Sequence, residues 1–334
     1  MIHDDNRIRF SIDRLADHVE SWFLRANHPR EARALWIKAT VLSRRRGSSV
    51  AEVWCSSFDG VGGLTRACKK TVATSEAILR PAPINIAACT FDFTETGGRT
   101  QGELAGGELA WNLRWCPIEG ALGRPLCLLP NRRLIDAPFP KNKLLTPSPA
   151  LRFSGSVRWD DVEWSIDDWV GMQGHNWGPA HAPEYAWGQC IFSDTRGEPF
   201  CVVEGAAGRI RIGGTTSPVL ALMTVRHGEL EYRFDRLLDI WNRRTSIAFP
   251  DWTLRMKSPD GEALLSMRAR PDRMVQLGYE NPSGELSYCL NSKLAAVSLR
   301  MNPVDGHGFE CTSEHGGALE FLRPEPAPEI GEVV

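Results

Sequence analysis

The sequence predicts a mainly β protein built as two consecutive antiparallel barrels. Three observations carry that prediction. Short stretches along nearly the whole chain alternate apolar and polar side chains, the period of a half-buried strand. Turn compositions such as RHGE, SPDGE and NPSGE separate them. Only one segment carries a helical stripe. Many short strands with almost no helix fold into barrels or sandwiches. The 334 residues divide into two units, each suited to roughly eight to ten strands. We assign 1–183 to the N-terminal barrel, with a short helix at its start, and 184–334 to the C-terminal barrel.

The helix is predicted over Ser11–Asn27 (SIDRLADHVESWFLRAN). Ile12, Leu15, Ala16, Val19, Trp22 and Phe23 recur there at spacings of three and four. Ser11 serves as N-cap, and His28-Pro29 ends the element. Ala34–Ser43 and Val50–Phe58 follow as strands joined by RRRGSS. The first of these sets Trp36, Lys38 and Thr40 against Leu35, Ile37, Ala39 and Val41. Lys38 therefore stands beside Trp36 on one strand face. That face looks to solvent or, on a second reading, lies inside a barrel toward a ligand. Ile84–Phe93, Gln101–Leu104 and Glu108–Cys116 are the next strands, with Trp111, Leu113 and Trp115 sharing a face.

Pro117–Pro149 contains prolines 117, 125, 130, 138, 140, 147 and 149 and little periodicity, the character of a cover over a site. Strands resume at Leu151–Trp159 and Val162–Val170. Beyond Phe192 come Phe200–Ala206, Val219–Arg226, Glu229–Phe234, Trp252–Lys257, Ala263–Ala269, Met274–Tyr279, Leu286–Arg300 and a last pair around Phe309 and Leu319.

The chemistry concentrates in Trp169–Phe192, WVGMQGHNWGPAHAPEYAWGQCIF. Its flanks read as strands and its centre as a tight loop with Gly, Asn and Pro. The loop sets an imidazole, a carboxamide and an indole at the mouth of a pocket: His175, Asn176 and Trp177. Gln173, His181, Tyr185, Trp187 and Gln189 stand close in sequence. The competing reading is a structural corner, with His and Asn bonding backbone and Trp plugging a barrel end. His175 or His181 could shuttle a proton. Glu204 interrupts the apolar strand CVVEGA; inside a barrel its pKa would rise and it could act as a neutral acid, whereas a salt bridge to an arginine is the plainer account. Trp177, Tyr185 and Trp187 could stabilise a cationic or polyene-like intermediate or simply pack, and Trp111 and Lys38 are further candidate binding residues.

Composition narrows the classes. Lys and Arg number 39 and Asp and Glu 41, a net charge of −2, which gives no electrostatic case for nucleic acid or an anionic membrane. No apolar run approaches the roughly 18 residues of a spanning helix, so stable membrane insertion is not expected. The charged N-terminus lacks a signal-peptide core, and a cytoplasmic location is the expectation. The nine cysteines show no CxxC pairing, so we expect reduced thiols packed as small core residues and no metal site. No GxSxG elbow, HExxH, P-loop or strand-linked GxGxxG is present.

GMQGHNWG followed by YAWG, together with ESWFLRANHP, ALWIKATV and YCLNSKLA, resembles the lipocalin-like family of carotenoid 1,2-hydratases (hydroxyneurosporene synthases) and AttH-type proteins. Tocopherol cyclase-like proteins and fungal Diels–Alderases are more distant relatives. The resemblance implies two lipocalin-like barrels and a hydrophobic pocket near HNWG. It implies hydration, cyclisation or isomerisation of an isoprenoid- or polyketide-like molecule, without cofactor or metal. The residues that match are His175, Asn176, Trp177 and Gly178. Hydratase members often carry an Asp before the His-Asn pair; Gly174 stands there in this chain, so Glu204 or Asp168 would have to supply the proton. A non-catalytic carrier of a hydrophobic molecule, which needs only an apolar lining, is the alternative function, and filled barrels with no cavity are a third possibility.

Overall fold

The computed structural model describes residues 4–10, 16–79, 83–212, 215–236 and 243–334. The first sheet is formed by β1 (His18–Asn27), β2 (Arg33–Ser43), β3 (Val50–Asp59), β4 (Leu64–Ala73), β5 (Ile78–Leu79), β6 (Ile84–Ile86), β7 (Cys89–Thr94), β8 (Gly97–Leu104), β9 (Leu109–Pro117), β10 (Lys143–Trp159) and β11 (Val162–Gly178). Its order is β4-β3-β2-β1-β11-β10-β9-β8-β7-β6-β5. The second takes β12 (Glu184–Ser193), β13 (Pro199–Arg209), β16 (Leu220–His227), β17 (Leu230–Phe234), β18 (Arg243–Ala248), β19 (Asp251–Ser258), β20 (Gly261–Arg268), β21 (Val275–Glu280), β22 (Leu286–Pro303) and β23 (Phe309–Arg323). Here the order is β17-β16-β13-β12-β23-β22-β20-β19-β18, with β21 added beside β22. A two-stranded ribbon, β14 (Arg211–Ile212) with β15 (Thr215–Thr216), completes the set.

Both large sheets are antiparallel, and both bend back on themselves. In the first, β4 reaches β8 and β3 reaches β6; in the second, β17 meets β19. Each bend encloses its own core. Trp22, Leu35, Ile37, Phe91, Trp111 and Trp169 pack inside the first. Val203, Met223, Trp252, Leu265 and Phe321 pack inside the second. A third cluster joins the outer faces of the two sheets: Phe23, Trp36, Trp54 and Met172 from one, Trp187, Leu277, Tyr279 and Leu322 from the other. The sheets therefore stand back to back, and their strands near this seam are covered on both faces.

Two expectations are corrected. Among the described residues of the predicted helix, His18–Asn27 is strand β1, paired to β2 and β11; residues 11–15 lie outside the described set. The nearby helical element is a single 3-10 turn, Asp4–Asn6. A strand buried on both faces has no alternation to display, and here chance spacing imitated a helical stripe. The expected HNWG loop is also strand. β11 continues through His175, Asn176 and Trp177 to Gly178, with Trp22 opposite His175, and the turn comes afterwards. Among the described residues no helix is long and apolar enough to cross a membrane.

Candidate active site in the seam between the sheets

Strand alternation decides which side chains enter the seam. On β2 the even-numbered residues Trp36 and Lys38 face outward from the first core, while Leu35 and Ile37 face inward. On β12 the odd-numbered residues Tyr185, Trp187 and Gln189 face the seam, and Ala186 and Cys190 face the second core. The seam opens into a cavity of about 390 Å3. Its walls include Phe23, Trp36 and Lys38 from the first sheet, Asn176 and Trp177 at the end of β11, and Tyr185, Trp187, Leu222, Tyr279 and Glu320 from the second. The Pro-rich connection between β9 and β10 supplies a third side through Leu128, Leu134, Phe139 and Pro140, and His181 joins from the β11–β12 turn.

The wall is mostly apolar, with one polar region. Lys38 is only 4% exposed, and its ammonium lies 3.7 Å from the centroid of the Tyr279 ring. Trp36 and Trp54 flank it at 5.8 and 5.9 Å. Burial lowers the Lys38 pKa to about 8, against the pull of Cys289, Glu320 and Glu52. Lys293 is held differently. It makes a 2.5 Å ion pair with Glu320, whose Oε1 also accepts from Asn291 at 3.2 Å. Tyr185 and Tyr279 stand beside Glu320 and Cys289; burial first, then these acidic neighbours, push both phenols well above their ordinary values. His181 stacks on Tyr279 with centroids 5.1 Å apart. Burial, reinforced by Lys38, pushes that imidazole down to about 3, so it is neutral. A neutral imidazole, two neutral phenols, an amine close to its titration range and a carboxylate thus meet one apolar chamber.

Glu204 lies behind this wall rather than on it. It is fully buried on the outer face of β13. Thr146 Oγ1 donates to its carboxylate at 2.8 Å and Trp187 Nε1 at 3.1 Å. Burial raises its pKa to about 7 despite these bonds and the positive charges of Arg226 and Arg25. The carboxylate therefore fixes the indole that forms the cavity wall. Gln189 is bonded to Arg25 and donates to the Pro149 carbonyl at 2.9 Å, deep in the same seam.

His175 belongs to a different place. It faces the first core, is fully buried and stacks on Trp22 at 4.8 Å. Its Nδ1 donates to the Asp5 carbonyl at 2.6 Å and its Nε2 meets Glu20 Oε1 at 2.9 Å. Both ring nitrogens are thus engaged by partners within the protein. Glu20 also accepts from His18 and from the backbone N–H groups of Arg9 and Phe10. Burial would raise the Glu20 pKa, but these bonds, led by His175, carry it down to about 2. Gln173 exchanges two side-chain hydrogen bonds with Asn6 beside a separate cavity of about 130 Å3. Trp111 sits in the first core, bonded to Thr100. Asp168 is exposed and paired with Arg152 at 2.6 Å. No side chain fits at Gly174, because a Cβ there would lie 2.2 Å from the Phe23 ring.

Sequence reasoning missed Lys293, Glu320, Tyr279 and Trp36. A signal existed for two of them: Lys293 in YCLNSKLA and Glu320 in GALEFL are charged residues in strand sequences otherwise poor in charge, as Glu204 is in CVVEGA. Among the described residues no group of three or more His, Cys, Asp or Glu gathers as a metal site.

No family model matches the chain. Two uncharacterized proteins of Mycobacterium tuberculosis, MT0513 and Rv0493c, are each 24% identical over 332 residues, covering 95% of this chain and 90% of theirs. Among solved structures, the AttH candidate NE1406 of Nitrosomonas europaea superposes with a TM-score of 0.59 at 10% identity, covering 92% of both chains. Kievitone hydratase of Nectria haematococca superposes with a TM-score of 0.56 at 11% identity, covering 91% of this chain and 88% of its own. The back-to-back pair of curled sheets in this chain is thus the lipocalin-like fold of AttH-type proteins.

Proposed function

We propose that the protein is an acid–base enzyme of the hydro-lyase or cyclase type, acting on an apolar small molecule held between the two sheets. One observation carries the reading. The apolar cavity runs up against proton-bearing groups, the buried Lys38 and Tyr279 and the half-buried Tyr185 and His181, beside the Lys293–Glu320 pair. A carrier needs the apolar wall alone; proton-transfer chemistry needs these groups as well. The hydratase among the structural neighbours supports the same class through the fold.

In this reading the Lys38 ammonium donates to a substrate oxygen and stabilises the charge that develops on it, as a preorganised donor in a dry site does. Glu320, held by Lys293 and Asn291, is the base that takes a proton from water or from substrate carbon, with Tyr185 at its side. Asn176 orients the substrate, and Trp177 and Trp187 shape its path. Glu204 acts as a positioning residue through Trp187. His175 is a positioning residue as well, holding Glu20 and the segment around Asp5 against β1 and β11. The halves 1–183 and 184–334 form one working unit, because each supplies part of the cavity wall. The chemistry requires no metal or cofactor.

The test starts with native mass spectrometry of the protein purified from its own host, followed by extraction and identification of the bound molecule. That molecule is then incubated with the protein in H2(18)O and in D2O. Solvent oxygen or deuterium entering a product, and failing to enter with Glu320→Gln, is the expected result. Recovery of the unchanged molecule would make the protein a carrier.

A further inference from the structure

The carboxylates of the seam are engaged by the protein's own donors. Glu320 Oε1 accepts from Lys293 and Asn291, and Cys289 Sγ lies 3.8 Å from its other oxygen. Glu204 is occupied by Thr146 and Trp187. The Trp187 N–H is thereby satisfied. Among the described residues Lys38 forms no hydrogen bond or ion pair, and the faces of Trp36, Trp54 and Tyr279 flank its ammonium. A buried ammonium without a hydrogen-bonded partner is costly. Lys293 holds the Glu320 carboxylate at the cavity wall at 2.5 Å, so that carboxylate is engaged away from Lys38. The acceptor missing from the protein is one a ligand can bring.

We propose that the ligand is an apolar molecule with an acidic oxygen head, a carboxylate, phenolate or enolate, which docks on the Lys38 ammonium. Its apolar body lies toward Leu128, Leu134 and Phe139 in the Pro-rich cover. This rests on the cavity being the working site, and it narrows the substrate class from any greasy molecule to an oxygen acid. Charge-assisted bonds to such a head are about twice as strong as neutral ones, and the aromatic box keeps water from competing.

The test uses two fluorescent probes that share an anilinonaphthalene body: 8-anilinonaphthalene-1-sulfonate, which carries an anionic head, and N-phenyl-1-naphthylamine, which has none. Lys38→Met is expected to weaken the sulfonate probe at least fivefold while leaving the neutral probe within twofold, and Lys38→Arg to restore the sulfonate. A smaller sulfonate loss, or an equal loss of both probes, overturns the proposal. Raising the pH from 7 to 9.5 tests it without a variant. The groups facing Lys38 are Tyr185, Tyr279, His181, Cys289, Lys293, Glu320 and Glu52. The phenols and the Cys289 thiol are pushed up and His181 stays neutral, which leaves the two amines: Lys38, and Lys293, which burial also lowers against the pull of Glu320, and the Lys38→Met profile separates them. The sulfonate probe should weaken over this range in the parent and not in Lys38→Met; a flat parent profile overturns the proposal. If the parent fails to bind even the neutral probe, the cavity itself is not a binding site, and the proposed function fails with it.

Discussion

Two buried charged clusters lie on opposite faces of the first sheet, and they are built on opposite principles. On the inner face, Glu20 accepts two hydrogen bonds on each oxygen, and His175 uses both ring nitrogens. On the outer face, Lys38 has no acceptor among the described residues and lies at a cavity. A saturated network specifies shape, since every partner would be lost at once if it opened. An unsaturated one beside empty space keeps its bonding capacity for something else. The difference separates a structural cluster from a chemical one better than residue type does, because histidine is the usual suspect for catalysis and lysine for solvent.

The sharpest way to break that comparison is His175→Ala. Removing the imidazole ring strips Glu20 of its main partner and frees the Asp5 carbonyl. Loss of one member of a buried ion pair costs roughly 3–5 kcal/mol. Urea unfolding at pH 7 should show a loss of that order. A cost below about 1 kcal/mol would mean that the cluster is not structural and would return His175 to the list of proton shuttles. The acid limb of the stability profile gives a second reading. With Glu20 at about 2 when folded against 4.5 unfolded, its stabilisation is complete above pH 4.5 and disappears as the pH falls toward 2.

Glu204→Gln probes the seam with a smaller effect. Its folded pKa of about 7 lies above the ordinary value of 4.5, so the native state holds the proton longer. The associated stability is complete below pH 4.5 and is lost as the pH rises through 7, by roughly 3 kcal/mol at most. Glutamine keeps an acceptor for Trp187 and a polar partner for Thr146. The variant should therefore flatten the profile between pH 4.5 and 7 and be more stable than the parent at pH 8. A variant less stable than the parent at pH 8 would show that the ionised carboxylate is the form the seam requires.

The same two faces explain what the sequence could reveal. The β class was legible because the outer strands alternate, as Leu109–Pro117 does with Leu109, Trp111, Leu113 and Trp115 buried in turn. β1 was not, because Trp22, Leu24 and Ala26 enter one core while Phe23, Arg25 and Asn27 enter the seam. Trp177, Tyr185, Trp187 and Asn176 were readable as pocket residues from their local crowding. Lys38 was legible only as an ambiguous strand residue. Neither of its two readings, solvent or barrel interior, includes a third place, the outside of one sheet covered by another. Glu320, Lys293 and Tyr279 reach the cavity only because the second sheet turns its outer face to the first, and no local pattern encodes that packing.

Lys38→Met has the smallest expected effect on stability, and its sign is what matters. A buried lysine whose pKa falls from 10.5 to about 8 destabilises the folded state at neutral pH. Because the unfolded chain holds the proton longer, stability rises as the pH goes from 8 to 10.5. Methionine fills the same space with no charge to desolvate, so the variant should equal or exceed the parent at pH 7, by on the order of 1–2 kcal/mol, and lack the alkaline rise. Thermal unfolding at pH 7 and pH 10 reads both features. If the variant instead loses 2 kcal/mol or more at pH 7, the aromatic box around the ammonium is a structural contact like the His175 cluster. The outer face would then hold a second structural network. A variant that is stable yet loses the anionic probe would mean that the chain carries a charge its fold does better without, the expected mark of a residue kept for binding or catalysis.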